Sequence, residues 1–194
     1  MRLLPIFSLL LLLAAPSLTL TIPPLFSRTC PTKYPTYQGN INKGLPEQAS
    51  YNTDFFVNWK ETNGTVLETL IQFRVPAGSW GCQLELFFPK GHPNLWGMND
   101  GDWRLYVYRV NDEIKPGAAW NNAPKSAYQF GNSNGPLPIN RVVESDIRRI
   151  INSEECQPTM GFRVAIAPEA VRGGVQFLKD ATWRNVRFRM THNY

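Results

Sequence analysis

The sequence predicts an all-β protein: an antiparallel β-sandwich of jelly-roll type, with one short helix and an irregular N-terminal leader. Three observations lead there. Several short runs alternate apolar with polar residues, the period-two signature of a strand with one buried face. Gly, Pro and Asn turn signals separate these runs at short, even spacing. Cys82 opens one alternating run, Gln83 to Pro89, and Cys156 stands just before another, Gly161 to Ala167. A cystine between two such strand entrances would staple a sandwich, and an oxidising compartment would keep it closed.

The N-terminus comes first. Arg2 precedes an apolar run from Leu3 to Ala15, broken only by Pro5 and Ser8, and Ala15-Pro16-Ser17 supplies small residues. This predicts a secretory signal peptide over residues 1–17, with Thr19 and Thr21 as other cleavage points. The run is shorter than the about 20 apolar residues that cross a bilayer. A buried N-terminal helix or an uncleaved anchor is the plainer alternative. No second apolar stretch is long enough to span, so the expectation is an extracellular protein without an integral membrane segment.

Residues 18–50 form the predicted leader. Pro23-Pro24, Pro31, Pro35, Gly39-Asn40 and Gly44 interrupt it, and neither period appears. A single domain is expected over residues 51–194. Phe55, Val57 and Trp59 alternate with Phe56 and Asn58, and Asn63-Gly64 marks a hairpin turn. Thr69, Ile71, Phe73 and Val75 share one face of the next strand, which Pro76-Ala77-Gly78 closes. The Cys82 strand follows. Trp103, Leu105 and Val107 then oppose Arg104, Tyr106 and Tyr108. Residues 111–135 are loop-rich. Val143, Ile147, Ile150 and Ile151 have helical spacing, with Ser145-Asp146 near the start, which predicts the short helix. Val175 to Leu178 and Val186-Phe188-Met190 supply the last strands.

The formal charge is +5, and Arg2 would leave with the predicted signal peptide. That excludes the dense basic field of a nucleic-acid binder. Basic residues gather at Arg148-Arg149 and at Arg184, Arg187 and Arg189. They fit a patch for an anionic polysaccharide or membrane, or simply a solvated strand face. Alternation with Val186, Phe188 and Met190 favours the solvated face.

Three cysteines, Cys30, Cys82 and Cys156, leave one thiol over. Three single pairings are open. Cys82–Cys156 is the expected one, because both residues flank strong strands, and Cys30 in the leader is then free or intermolecular. A nucleophilic Cys30 would need a base, and the chain has only His92 and His192.

There is no G-x-S-x-G, no His-Glu-x-x-His and no phosphate loop, so no cofactor and no metal site is expected. Asn99-Asp100-Gly101-Asp102 offers oxygen ligands but no glutamate at the position a calcium loop requires, and reads as a turn. Glu85 and other strand carboxylates stand alone, with nothing coupling two of them for glycoside chemistry. Asn63-Gly64-Thr65 is the single N-glycosylation sequon, in a predicted surface turn.

The stretch Phe73-Arg-Val-Pro-Ala-Gly-Ser-Trp-Gly-Cys82-Gln-Leu-Glu-Leu-Phe-Phe-Pro89 is followed by Ala119-Trp120-Asn121-Asn122-Ala123-Pro124, by Phe130-Gly131, and by Cys156 before a strand. In this order the motifs resemble the C-terminal domain of a fungal family named for the ubiquitin-three-binding protein But-two, over roughly Asn52 to Ala167. The resemblance implies a secreted β-rich protein of filamentous fungi, in a class with no established enzymatic activity. The intracellular partner in the family's name conflicts with a signal peptide and is not carried over. Trp120 to Pro124 also resembles the T-W-N-N-x-P segment of carbohydrate-binding β-sandwich modules. Asp146-Ile147 with Gly161-Phe162-Arg163 is similar to their D-V…G-F pattern. That likeness implies sugar faces stacking on aromatic rings, with Asn and Arg bonding the hydroxyls.

The candidate ligand-binding residues are therefore Trp96, Trp120, Tyr106, Tyr108 and Asn122. Core packing is the plainer role for most aromatics, and Trp59 and Trp103 are assigned to it. The functional expectation is a secreted, non-catalytic But-two-like protein with a binding or structural role at a cell wall or host surface. A stand-alone carbohydrate-binding module is the first alternative. A glycoside-active enzyme using surface carboxylates is the second. The partner classes are a cell-wall polysaccharide or an extracellular protein.

Overall fold

A computed structural model describes residues 30–50, 54–60, 65–92, 96–98, 104–135, 137, 142–167, 172–177 and 187–193. Expectations for the signal peptide, Asn63, residues 99–102 and Trp103, and for the side chains of Trp59 and Trp96, fall outside these residues. Twelve strands are described. In chain order they are β1 (Thr32–Lys33), β2 (Tyr37–Asn42), β3 (Phe55–Lys60), β4 (Thr65–Arg74), β5 (Cys82–Phe88) and β6 (Trp96–Met98). There follow β7 (Leu105–Val110), β8 (Ser126–Asn132), β9 (Ile147–Glu154), β10 (Thr159–Ile166), β11 (Arg172–Phe177) and β12 (Arg187–Thr191).

The strands form two antiparallel sheets arranged as a sandwich, as the alternation predicts. One sheet has the order β1-β12-β5-β9. The other runs β6-β11-β3-β4-β10-β7-β8, with β2 also paired to β4. Alternation aims Leu84, Leu86 and Phe88 of the first sheet at Phe162, Val164 and Ile166 of the second, all buried. Aromatic rings join the layers. Phe55 stacks on Phe177 at 4.1 Å between centroids, and Phe88 and Phe188 flank that pair, each 5.6 Å from its neighbour. A second set, Phe130, Phe162 and Phe73, fills the other half of the core.

β4 is buried on both faces, from Thr69 to Phe73 without a break. Two strands share one of its edges. β3 pairs with it from Thr65 to Leu67, and β2 from Leu67 to Gln72. Where β3 departs, Thr69 replaces the missing ladder. Its Oγ1 accepts from the Phe56 amide at 3.3 Å, and lies 3.0 Å from Phe56 O and 2.8 Å from Asn40 Oδ1. The hydroxyl donates to one of those two oxygens. Asn40 closes the seam by donating from Nδ2 to Asp54 O at 3.0 Å. Gly39 permits this approach, because a Cβ there would lie 2.2 Å from Ser50 O.

Three expectations need correction. The leader is irregular only in part, since β2 is an integral strand that buries Tyr37 and Ile41. Gly39 removes one side chain from the buried face, which hides the alternation. The loop-rich segment 111–135 ends in β8. The predicted helix is β9 instead. Its inward residues are Ile147, Arg149 and Ile151, while Arg148 and Ile150 face outward. A bulge opposite Leu84/Glu85 then shifts the register. β9 is an edge strand, so Arg149 on the inner side is only half-buried and Ile150 lies 45% exposed on the outer one. That exchange of a polar for an apolar position mimics helical spacing.

The chain passes from β9 in one sheet to β10 in the other over residues 155–158. Cys156 in this crossing is bonded to Cys82 on β5, with 5.0 Å between their Cα atoms, as the sequence leads one to expect. Cys30 is a free thiol. Arg109 on β7 reinforces the corner. Its Nε donates to Glu154 at 2.7 Å, and Nη1 donates to Gly161 O at 2.9 Å. The Tyr128 hydroxyl holds the other oxygen of Glu154 at 2.8 Å.

The bond closes a loop spanning a sequence separation of 74 residues. Replacing both Cys82 and Cys156 by Ala should therefore lower stability by about 2–4 kcal/mol, read as a fall in the urea midpoint. Cys30→Ser should leave the stability within about 0.5 kcal/mol of the parent.

Candidate functional site

The outer face of the larger sheet is partly roofed by residues 111–125. Register places Val110, Gly161 and Gln72 in one row across β7, β10 and β4, and Tyr108, Arg163 and Leu70 in the next. Ile114 and Ala118 descend onto Leu70, Val110, Ile41 and Tyr37 and form a second small core. Gly161 makes room for them, since a Cβ would meet Val110 Cγ2 at 2.7 Å and Ile114 Cδ1 at 3.4 Å. The Ile114 amide donates to Gln72 Oε1 at 2.7 Å, which satisfies a buried polar side chain under the roof. At its far end the roof is tied to the turn after β2. Asn121 N donates to Pro46 O at 3.1 Å, and Asn121 Nδ2 donates to Glu47.

Trp120, half-buried, packs at the edge of this small core. The Arg163 guanidinium lies 4.7 Å from its ring centroid and is ion-paired with Glu68. Stacking and pairing together hold Arg163 in one orientation. Beside it opens a groove of about 390 Å³, bounded by Glu68, Tyr108, Lys125, Ser126, Arg163 and Ala165. A larger depression of about 710 Å³ lies over the roof, between Asp112–Ala118 and Asn122–Lys125. Lys125 borders both. The smaller groove combines an aromatic ring with a carboxylate acceptor and two cationic donors, which suits a ligand presenting both hydroxyls and C–H faces.

The structure brings together three of the five predicted ligand residues. Tyr108 lines the groove, Trp120 supports Arg163 beneath it, and Asn122 lines the neighbouring depression. Asn122 also has a local duty, its Oδ1 accepting from the Ala119 amide at 2.7 Å to lock the turn. Tyr106 pairs with Ala165 one row further along, outside the groove lining. Trp96 is on β6, at the opposite margin of the sheet, five strand steps from β7. The sequence reading missed Glu68 and Lys125, which carry no motif. Arg163 was signalled only as the residue after Gly161-Phe162. Among the described residues, no group of three or more His, Cys, Asp or Glu could hold a metal ion. No described helix is long and apolar enough to cross a membrane.

The outer face of the smaller sheet holds a second polar cluster. Glu85 is fully buried there. Its Oε1 accepts from Gln83 Nε2 at 2.8 Å, Arg148 Nη2 at 2.6 Å and Thr191 Oγ1 at 2.8 Å. Its Oε2 accepts from Arg148 Nε at 2.8 Å and Arg189 Nε at 3.0 Å. Burial alone would push this carboxyl up, but the hydrogen bonds from Arg148, Gln83, Thr191 and Arg189 outweigh it and hold the group below its ordinary value.

A lowered carboxyl stabilises the fold above the value it has in the unfolded chain, about 4.3, and that contribution is lost as pH falls through the folded value. Glu85→Gln should therefore cost about 3 kcal/mol near neutral pH. The gap between variant and parent urea midpoints should close on acidification below about pH 4. A gap that stays constant with pH would refute this account.

Comparison of the sequence with protein-family models gives no match, and comparison with curated proteins gives none either.

Proposed function

We propose that the protein is a secreted, non-catalytic binding module of the But-two-like kind, which takes a cell-wall polysaccharide in the groove beside Arg163. The observation that carries this reading is the groove lining: Tyr108 with the Glu68–Arg163 pair and Lys125. A sugar ring needs an apolar face to stack on and fixed donors and acceptors around its rim. Arg163 is already immobilised by Trp120 and Glu68, so little side-chain entropy is lost on binding. Residues Trp120 to Pro124, which carry the likeness to carbohydrate-binding modules, lie in the roof beside this groove, and Trp120 stacks on Arg163 of its lining.

Extracellular location rests on the leucine-rich N-terminus and on a disulfide that a reducing cytosol would not preserve. Asn63 would then carry a glycan. The non-catalytic reading rests on the state of the carboxylates. Asp112 and Glu113 both line the larger depression, yet both are exposed, and Glu113 is ion-paired with Arg74. A glycosidase acid needs an apolar enclosure that keeps its proton at working pH. Glu68, in the smaller groove, is paired with Arg163 and has no second carboxylate in the lining.

The test is retention of purified protein on insoluble chitin, β-1,3-glucan and cellulose. Tyr108→Ala should weaken retention roughly tenfold by removing the stacking ring. Trp120→Ala should weaken it similarly by freeing Arg163. Retention that survives both substitutions would place the site elsewhere. No retention by the parent on any of the three polymers would overturn the polysaccharide reading and turn the search to protein partners.

A further inference from the structure

We propose a second and independent binding surface, the outer face of the smaller sheet, where three arginine positions gathered around one buried carboxylate take an acidic polysaccharide. The register makes the gathering. Phe87 on β5 pairs with Arg187 on β12 and with Arg148 on β9, and Glu85 pairs with Arg189 and Ile150. Directly opposed residues share a sheet face. Arg148 and the Arg187 and Arg189 positions, far apart in the chain, thus come into one field. Strand geometry spaces them by about 7 Å along β12 and about 10 Å across the two strand gaps to β9.

Glu85 is the only acidic position in these two rows, and it is spoken for. It is fully buried and accepts five hydrogen bonds, so it cancels one charge while fixing the groups around it. Both described arginines have guanidinium nitrogens that Glu85 does not use, and Arg148 is the more accessible, with 53% of its side chain exposed against 18% for Arg189. Arg189 gives Glu85 only its Nε and lies 3.9 Å from the Phe87 ring centroid, which leaves both Nη groups unused by Glu85. Arg148 gives Nε and Nη2, which leaves Nη1 unused by Glu85. Guanidinium groups fixed in this way match the two oxygens of a carboxylate or sulfate, with less ordering to be done on binding.

The surface favours a polymer over a membrane. A peripheral membrane site needs apolar side chains to enter the acyl boundary. In these two rows Ile150 is the only exposed large apolar residue described. The face lies on the opposite side of the sandwich from the groove beside Arg163, so the two surfaces stand or fall separately.

The experiment measures binding of the full chain to polygalacturonate and to dextran sulfate, with neutral dextran as control, at low and at roughly physiological salt. The expected result is binding to at least one acidic polymer and none to dextran, weakening as salt rises. Carboxylate and sulfate arms tell which anion is preferred, and either supports the proposal. Arg148→Gln should lower affinity roughly tenfold, but it also strips Glu85 of two hydrogen bonds. Arg187→Ser removes none of the five bonds to Glu85 and should also lower affinity roughly tenfold. Tyr108→Ala should leave this binding intact. Absence of binding to both acidic polymers would overturn the proposal, as would binding that Arg187→Ser does not weaken. Tighter binding to phosphatidylserine vesicles than to either polymer would overturn it in favour of a membrane.

Discussion

The corner between β9 and β10 is the constraint on which the rest of this structure depends. Two sheets stack about 10 Å apart, and the chain crosses that gap here in a few residues. Cys156 is bonded across to Cys82, and the Arg109–Glu154 ion pair crosses from one sheet to the other beside it. The corner fixes the start of β10, and β10 in turn sets the registers of both β4 and β7. Those registers put Arg163 next to Tyr108 and Gly161 under Ile114. The groove is therefore positioned from a point on the far side of the core.

The two outer faces have been put to different uses. On the larger sheet, Leu70 and Val110 point away from the main core and would lie bare without the roof of residues 111–125. The roof buries them, and its edge makes the groove. On the smaller sheet, among the described residues, side chains cover the outer face. Arg148, Arg189 and Thr191 close over Glu85, a carboxylate that could not remain charged there without them. One face shields apolar side chains under a loop, and the other shields a charge under arginines.

How far the sequence discloses this follows from the same physics. The strands of Cys82 and of Gly161 are legible because each buries every second side chain. The disulfide is legible because it joins their entrances. β9 is misread because Arg149 and Ile150 occupy each other's usual sides, which only an edge strand tolerates. β2 is missed because Gly39 deletes the middle residue of its buried face for the sake of a close approach to Ser50. The aromatic part of the candidate groove is visible in Trp120 and Tyr108. Its charged part is not, since Glu68, Lys125 and Arg163 meet only through strand register and a folded-back loop. Glu85 looks like an ordinary outward carboxylate, and nothing local announces that arginines about 60 and 100 residues later will cover it.

β1 and β12 are the first and last of the described strands, and they lie side by side, with the His192 amide donating to Pro31 O at 3.2 Å. Among the described strands, β12 is what joins β1 to β5. A ribosome delivering this chain from its N-terminus cannot complete the smaller sheet until residues 187–191 have emerged. Until then Phe188 is missing from the aromatic stack and Arg189 and Thr191 from the shell of Glu85. The disulfide partners, by contrast, are both available once residue 156 is out. Covalent closure can thus precede completion of the sheet it braces, and a nascent chain stopped shortly after β11 would already be cross-linked while still carrying an open strand edge.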